Sequence, residues 1–161
     1  MNPVLSHQRL QRVCPALSSA GLIRMVSEID DHGAIPSRAL ARTLTGLSTT
    51  QIRQAVAQAD TLGLLDRSRS GLGLTPAGRD LADLYDATAR WARHHNYPSR
   101  VSNFSERIRS VMVLLSEPTV TEWRQQDGDA AGLREVNRLL TEWADTHQQR
   151  EHHQSAYDVA A

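Results

Sequence analysis

The chain has 161 residues, a formal net charge of zero and 40% hydrophobic residues, enough for one compact domain with a real core and too few for two ordinary ones. No stretch approaches the roughly 18 consecutive apolar residues of a membrane span, and Met1-Asn2-Pro3 does not open a basic-then-apolar leader, so a soluble, cytoplasmic protein with no membrane partner is expected. Cys14 is the only cysteine, which excludes an intramolecular disulfide and leaves any zinc site dependent on His or carboxylate ligands.

Residues 1–15 read as an N-terminal arm, with a short helix carrying Leu5, Leu10 and Val13 that stops at Cys14-Pro15. Leu22, Met25, Val26 and Ile29 then recur at helical spacing, which predicts a helix from Ala16 to about Asp31, ended by Gly33. Ala34-Ile35-Pro36 has the makings of a one-bridge strand, and Ser37 offers a cap for a short helix through about Thr43. Ser48-Thr49-Thr50-Gln51 is a capping-box sequence, and Ile52, Ala55, Val56, Ala59 and Leu62 form one apolar stripe behind it, closed by Gly63. Two short helices joined by Thr45-Gly46-Leu47 make a helix-turn-helix.

Residues 64–68 and 72–74 read as two strands joined by a tight Arg69-Ser70-Gly71 turn, a very short wing. Thr75-Pro76 opens the next helix with a cap and a proline whose missing N–H costs nothing there. That helix is expected to reach about Tyr97, with Leu81, Leu84, Thr88, Trp91 and His95 on one seam. A further helix runs from about Phe104 to Ser116, and the last from about Ala130 to His152, repeating Leu133, Val136, Leu140, Trp143 and His147. Residues 148–161 are polar and read as a flexible tail. The expected fold class is therefore mainly α: a winged helix-turn-helix over 16–97 with a short two-stranded wing, and additional N- and C-terminal helices, those at 98–147 serving dimerisation.

The zero net charge conceals a segregation. Residues 35–79 carry six arginines (Arg38, Arg42, Arg53, Arg67, Arg69, Arg79) against Asp60 and Asp66, whereas residues 80–161 carry nine arginines against thirteen acids. The positive stretch coincides with the helix-turn-helix and the wing.

Leu47-Ser48, Ile52, Val56, Ala59, Leu62-Gly63-Leu64-Leu65-Asp66-Arg67 and Leu74-Thr75-Pro76-Ala77-Gly78-Arg79 together resemble the core of bacterial winged-helix transcriptional regulators of the MarR, HxlR and PadR-like groups. The likeness covers residues 16–97. It implies a homodimeric, sequence-specific DNA-binding protein, a repressor acting on a near-palindromic operator, with double-stranded DNA and a second copy of itself as partners and a small-molecule effector as a further candidate. No cofactor and no enzymatic activity are implied.

A recognition helix lies in the major groove with its N-terminal half against base edges. With the apolar stripe inward, Thr49, Thr50, Arg53, Gln54 and Ala57 face outward, with Gln51 and Gln58 at the margins. Arg pairs with guanine, Gln with adenine, and Thr contacts phosphate or a thymine methyl. The face carries no acid before Asp60, whereas an ordinary solvated face has no reason to avoid one. Arg67 and Arg69 on the wing and Arg38 and Arg42 on the preceding helix are candidate backbone contacts. Leu84, Trp91, Leu133, Val136, Leu140 and Trp143 form the candidate dimer seam.

Cys14 is a candidate redox sensor by the resemblance to certain HxlR-type regulators, against the commoner outcome of a buried, idle thiol. His94-His95, and His147 with Glu151, His152 and His153, have some metal-ligand character, but no HExxH motif or cysteine cluster accompanies them and no metal is expected. No phosphate-cradling glycine loop, Gly-x-Ser-x-Gly elbow or carboxylate pair suggests catalysis. The rival to DNA binding is a protein-interaction module that binds another regulator, which the zero net charge and clipped wing favour. The two differ on whether the positive stretch is exposed or neutralised by the protein's own acids.

Overall fold

The computed structural model describes residues 3–117 and 130–158, with side chains described for 7–117 and 131–147. Among the described residues seven helices and one hairpin follow in chain order: α1 (Pro3–Leu17), α2 (Ala20–His32), a 3-10 turn (Ser37–Ala39) running into α3 (Leu40–Thr43), α4 (Thr49–Thr61), β1 (Leu65–Ser68), β2 (Gly71–Leu74), α5 (Pro76–His94), α6 (Phe104–Ser116) and α7 (Ala130–Asp158). The protein is mainly helical, with one small two-stranded antiparallel sheet. No described helix is long and apolar enough to cross a membrane.

The helix starts are where side chains can satisfy orphan amides. Ser19, Ser48, Thr75 and Asn103 each accept a hydrogen bond from a backbone N–H in the first turn of the helix that follows, and Ser48 and Asn103 complete full capping boxes with Gln51 and Glu106. The N-terminus departs from the sequence expectation. The helix does not stop at Pro15 but carries it in its final turn and ends at Leu17. Only one intrahelical donor is lost there, and burial of Leu10, Cys14 and Leu17 against α6 and α7 offsets it. The arm is thus part of the core. Consequently α2 begins at Ala20 and not Ala16, and α5 ends at His94, three residues before Tyr97. At the other end α7 continues through Asp158, so most of the stretch read as a flexible tail is helix; residues 159–161 lie outside the described ones.

Helix α5 is the hub, packing against α2, α6 and α7. Its Tyr85 is fully buried and donates its hydroxyl to the Leu17 carbonyl at the end of α1 at 2.7 Å, satisfying a helix-end carbonyl that is cut off from water. Burial also pushes that phenol's pKa up.

The seam read as a dimer interface is an internal seam. Leu84 of α5 and Leu133, Val136, Leu140 and Trp143 of α7 are all buried within the single chain, where the two helices pack on each other. Trp91 is half-buried against the same core, and its indole lies so close to Gly132 that a Cβ there would stand 2.7 Å from Cδ1. The heptad-like spacing marks a real packing stripe, but its partner is another stripe of the same chain. Leu84, Leu133, Val136, Leu140 and Trp143 are therefore unavailable to a second copy.

Candidate nucleic-acid interface

The site is built on α4. The Ser48 hydroxyl accepts the Gln51 N–H at 3.2 Å, while the Gln51 side-chain oxygen accepts the Ser48 N–H at 2.8 Å, so the helix starts at Thr49 as its sequence dictates. Ile52, Ala55 and Ala59 are buried, and α4 lies on α2 at close range because Gly21 faces Ala55. The Gln58 amide, expected at the margin of the outward face, turns in and donates to the Ala16 carbonyl. What remains outside is Thr49, Thr50, Gln51, Arg53, Gln54 and Ala57, all exposed. Of these, Gln51 has half its amide committed to the cap, whereas Thr49, Thr50, Arg53 and Gln54 have no hydrogen-bond or ionic partner among the described residues.

A rigid joint fixes the hairpin relative to this helix. β1 and β2 pair from Leu65↔Leu74 to Ser68↔Gly71. Ile35 adds the expected single bridge to Leu72, its N–H donating at 3.0 Å and its carbonyl accepting at 2.8 Å. Gly71 has φ +122°, and a Cβ on it would collide with the Ile35 carbonyl, so no other residue fits the bridge. The Thr75-Pro76-Ala77-Gly78 string has an equally local reason. The Thr75 hydroxyl donates to the Gly63 carbonyl at 2.7 Å and accepts the Gly78 N–H at 3.2 Å, while the Thr75 N–H donates to the Leu64 carbonyl at 2.9 Å. Gly78 is bare because that same Leu64 carbonyl occupies the space of a side chain. One threonine thus ties the end of α4, the start of the hairpin and the start of α5 together.

The six arginines of the positive stretch divide. Arg67 is ion-paired with Asp60 across the α4–β1 turn, and the Arg79 guanidinium donates to the Leu74 carbonyl at 3.3 Å. Arg38 in the 3-10 turn, Arg42 on α3, Arg53 on α4 and Arg69 at the hairpin tip are exposed and have no ionic partner among the described residues. Sequence reasoning missed the Asp60–Arg67 pair, because only the turn at Gly63 brings the two together. Carboxylates gather on other elements: Asp30 and Asp31 at the end of α2 and Asp83 and Asp86 on α5 interact, and burial first, then mutual repulsion, raises the pKa values of Asp30 and Asp86.

Cys14 does not suit a sensor. It is 1% exposed, and burial pushes its thiol pKa up to about 12, so neither access nor thiolate is at hand. Among the described residues no group of three or more His, Cys, Asp or Glu side chains could hold a metal ion; the side chains of Glu151, His152 and His153 lie outside them. His94 and His95 instead form an aromatic cluster with Trp91, in which His95 stacks on the indole at 4.5 Å between centroids.

Comparison of the chain with protein-family models, with curated proteins and with solved structures found no match.

Proposed function

We propose that the protein is a winged helix-turn-helix transcriptional regulator that binds double-stranded DNA through α4, with Thr49, Thr50, Arg53 and Gln54 at base edges and Arg38, Arg42 and Arg69 on the phosphate backbone. The observation that carries this reading is the outward face of α4: without a carboxylate until Asp60, and with Thr49, Thr50, Arg53 and Gln54 unspent in the fold. Four unpaired guanidinium groups on the elements flanking and including α4 give that face the charge that phosphate neutralisation needs. A protein of this size represses by occupying DNA that the polymerase needs. Two copies on a near-palindromic operator belong to the reading, and they meet through a face other than the α5–α7 seam.

One observation favours the rival interaction module. Asp60 neutralises Arg67, so the hairpin offers a single unpaired arginine, Arg69. Fluorescence anisotropy on the duplex upstream of the protein's own gene and on a scrambled duplex, over a salt series, separates the two. The regulator reading expects the upstream duplex to bind tighter by about a thousandfold or more and affinity to fall steeply with salt. Absence of binding to either duplex at low salt favours the interaction module.

A further inference from the structure

The packing of α7 on α5 leaves a cleft of about 270 Å³ beside the first turns of α5. Leu84, Leu139 and the buried Trp143 indole make its apolar floor, and the His147 ring stacks on that indole with centroids 4.7 Å apart and planes 13° apart. Asp80 and Asp83 stand on the α5 rim, exposed, and neither forms an ion pair or hydrogen bond among the described residues. Glu142 on the opposite rim is already paired with Arg138. The cleft thus combines a concave apolar floor, a stacked aromatic pair in its wall and two exposed carboxylates without an ionic partner among the described residues.

An anion is repelled here, and a neutral molecule leaves the carboxylates unused. A flat organic cation gains apolar contact with the floor and charge-assisted hydrogen bonds to the rim. We propose that this cleft is a binding site for a small planar organic cation of the amidinium, guanidinium or ring-bearing ammonium class. Its floor touches the joint described above. The Trp143 indole N–H donates to the Ala77 carbonyl at 3.0 Å in the first turn of α5, and His147 Cε1 lies 3.8 Å from where a Cβ on Gly63 would stand. A bound cation therefore presses on the segments that set the hairpin against α4, and its consequence as an effector rests on the DNA-binding reading.

The test titrates the full 15N-labelled chain with benzamidinium and with its neutral counterpart benzamide, following the Trp143 indole N–H assigned through Trp143→Phe. The expected result is a saturable shift with benzamidinium and a response to benzamide about tenfold weaker. The Asp80→Asn/Asp83→Asn double variant, at exposed positions and with its unfolding midpoint measured alongside, is expected to weaken benzamidinium binding at least about fivefold. No saturable shift, an equal response to benzamide, or unchanged binding by the double variant overturns the site. Duplex affinity is then measured with and without saturating benzamidinium, where a change is expected and none refutes the effector role. Failure of any duplex to bind defeats the DNA reading alone, because the site stands or falls on the titration without DNA.

Discussion

The joint between hairpin and α5 and the outward face of α4 lie within one short stretch of chain, yet their residues are held in place by opposite circumstances. At the joint, Gly71, Thr75 and Gly78 each have a steric or hydrogen-bonding reason to be what they are: a carbonyl fills the space of a side chain, or one hydroxyl serves two backbone groups. On the face of α4, nothing in the fold requires Arg53 to be arginine or Gln54 to be glutamine. Stability therefore accounts for the first set and is silent on the second. The motif most suggestive of a family is the one the fold explains without function, and the proposed function rests on residues that the fold leaves free.

Substitutions can break this division. The largest effect is expected at Gly78→Ala, where the new methyl meets the Leu64 carbonyl, and backbone cannot step aside as a flexible side chain can. A loss of about 3 kcal/mol or more in urea unfolding is expected, and a loss below 1 kcal/mol would show that the joint is looser than described. Leu140→Ala in the α5–α7 seam should cost about 2–5 kcal/mol. Because the seam is internal, the loss should not depend on protein concentration; a concentration-dependent loss would restore the dimer seam.

Tyr85→Phe strips the Leu17 carbonyl of its buried donor and should cost about 1–3 kcal/mol. Arg53→Ala should leave stability within about 0.5 kcal/mol of the parent while weakening duplex discrimination. The smallest effect lies at Asp86, whose folded pKa is raised by burial and by Asp31 and Asp30. A carboxyl with a raised folded pKa stabilises relative to its ionised form below the unfolded pKa and loses that advantage as pH rises through the folded value. Asp86→Asn should therefore raise the melting temperature slightly at neutral pH, and the gain should vanish as pH falls below the ordinary carboxylate range.

Much of this was legible in the sequence, because capping and periodicity are local. Ser48 with Gln51 and Thr75 with Pro76 fix helix starts within a few residues, and the stripe through Ile52 and Ala59 gives the buried face of α4. What failed to read depended on contacts distant in sequence. Pro15 signals a helix stop until burial of its neighbours outweighs one lost hydrogen bond. The stripe from Leu133 to Trp143 announces an apolar partner without saying whose, and here it is α5 of the same chain. Cys14 was a sensor candidate only through the resemblance, against the commoner expectation of a buried, idle thiol, and the packing of α1 buries it. At the candidate interface Thr49, Thr50, Arg53, Gln54 and Ala57 are exposed as the apolar stripe implies and the marginal Gln58 bonds inward, while the charge count of the hairpin overstated its free cations by Arg67.

The most direct test of the central claim compares the parent with Arg53→Ala by fluorescence anisotropy on the upstream and scrambled duplexes, alongside urea unfolding of both proteins. The account predicts that the variant unfolds at the parent's midpoint and loses about 1–3 kcal/mol of preference for the upstream duplex. Equal preference in parent and variant, or no preference in either, would contradict a base-reading role for the face of α4.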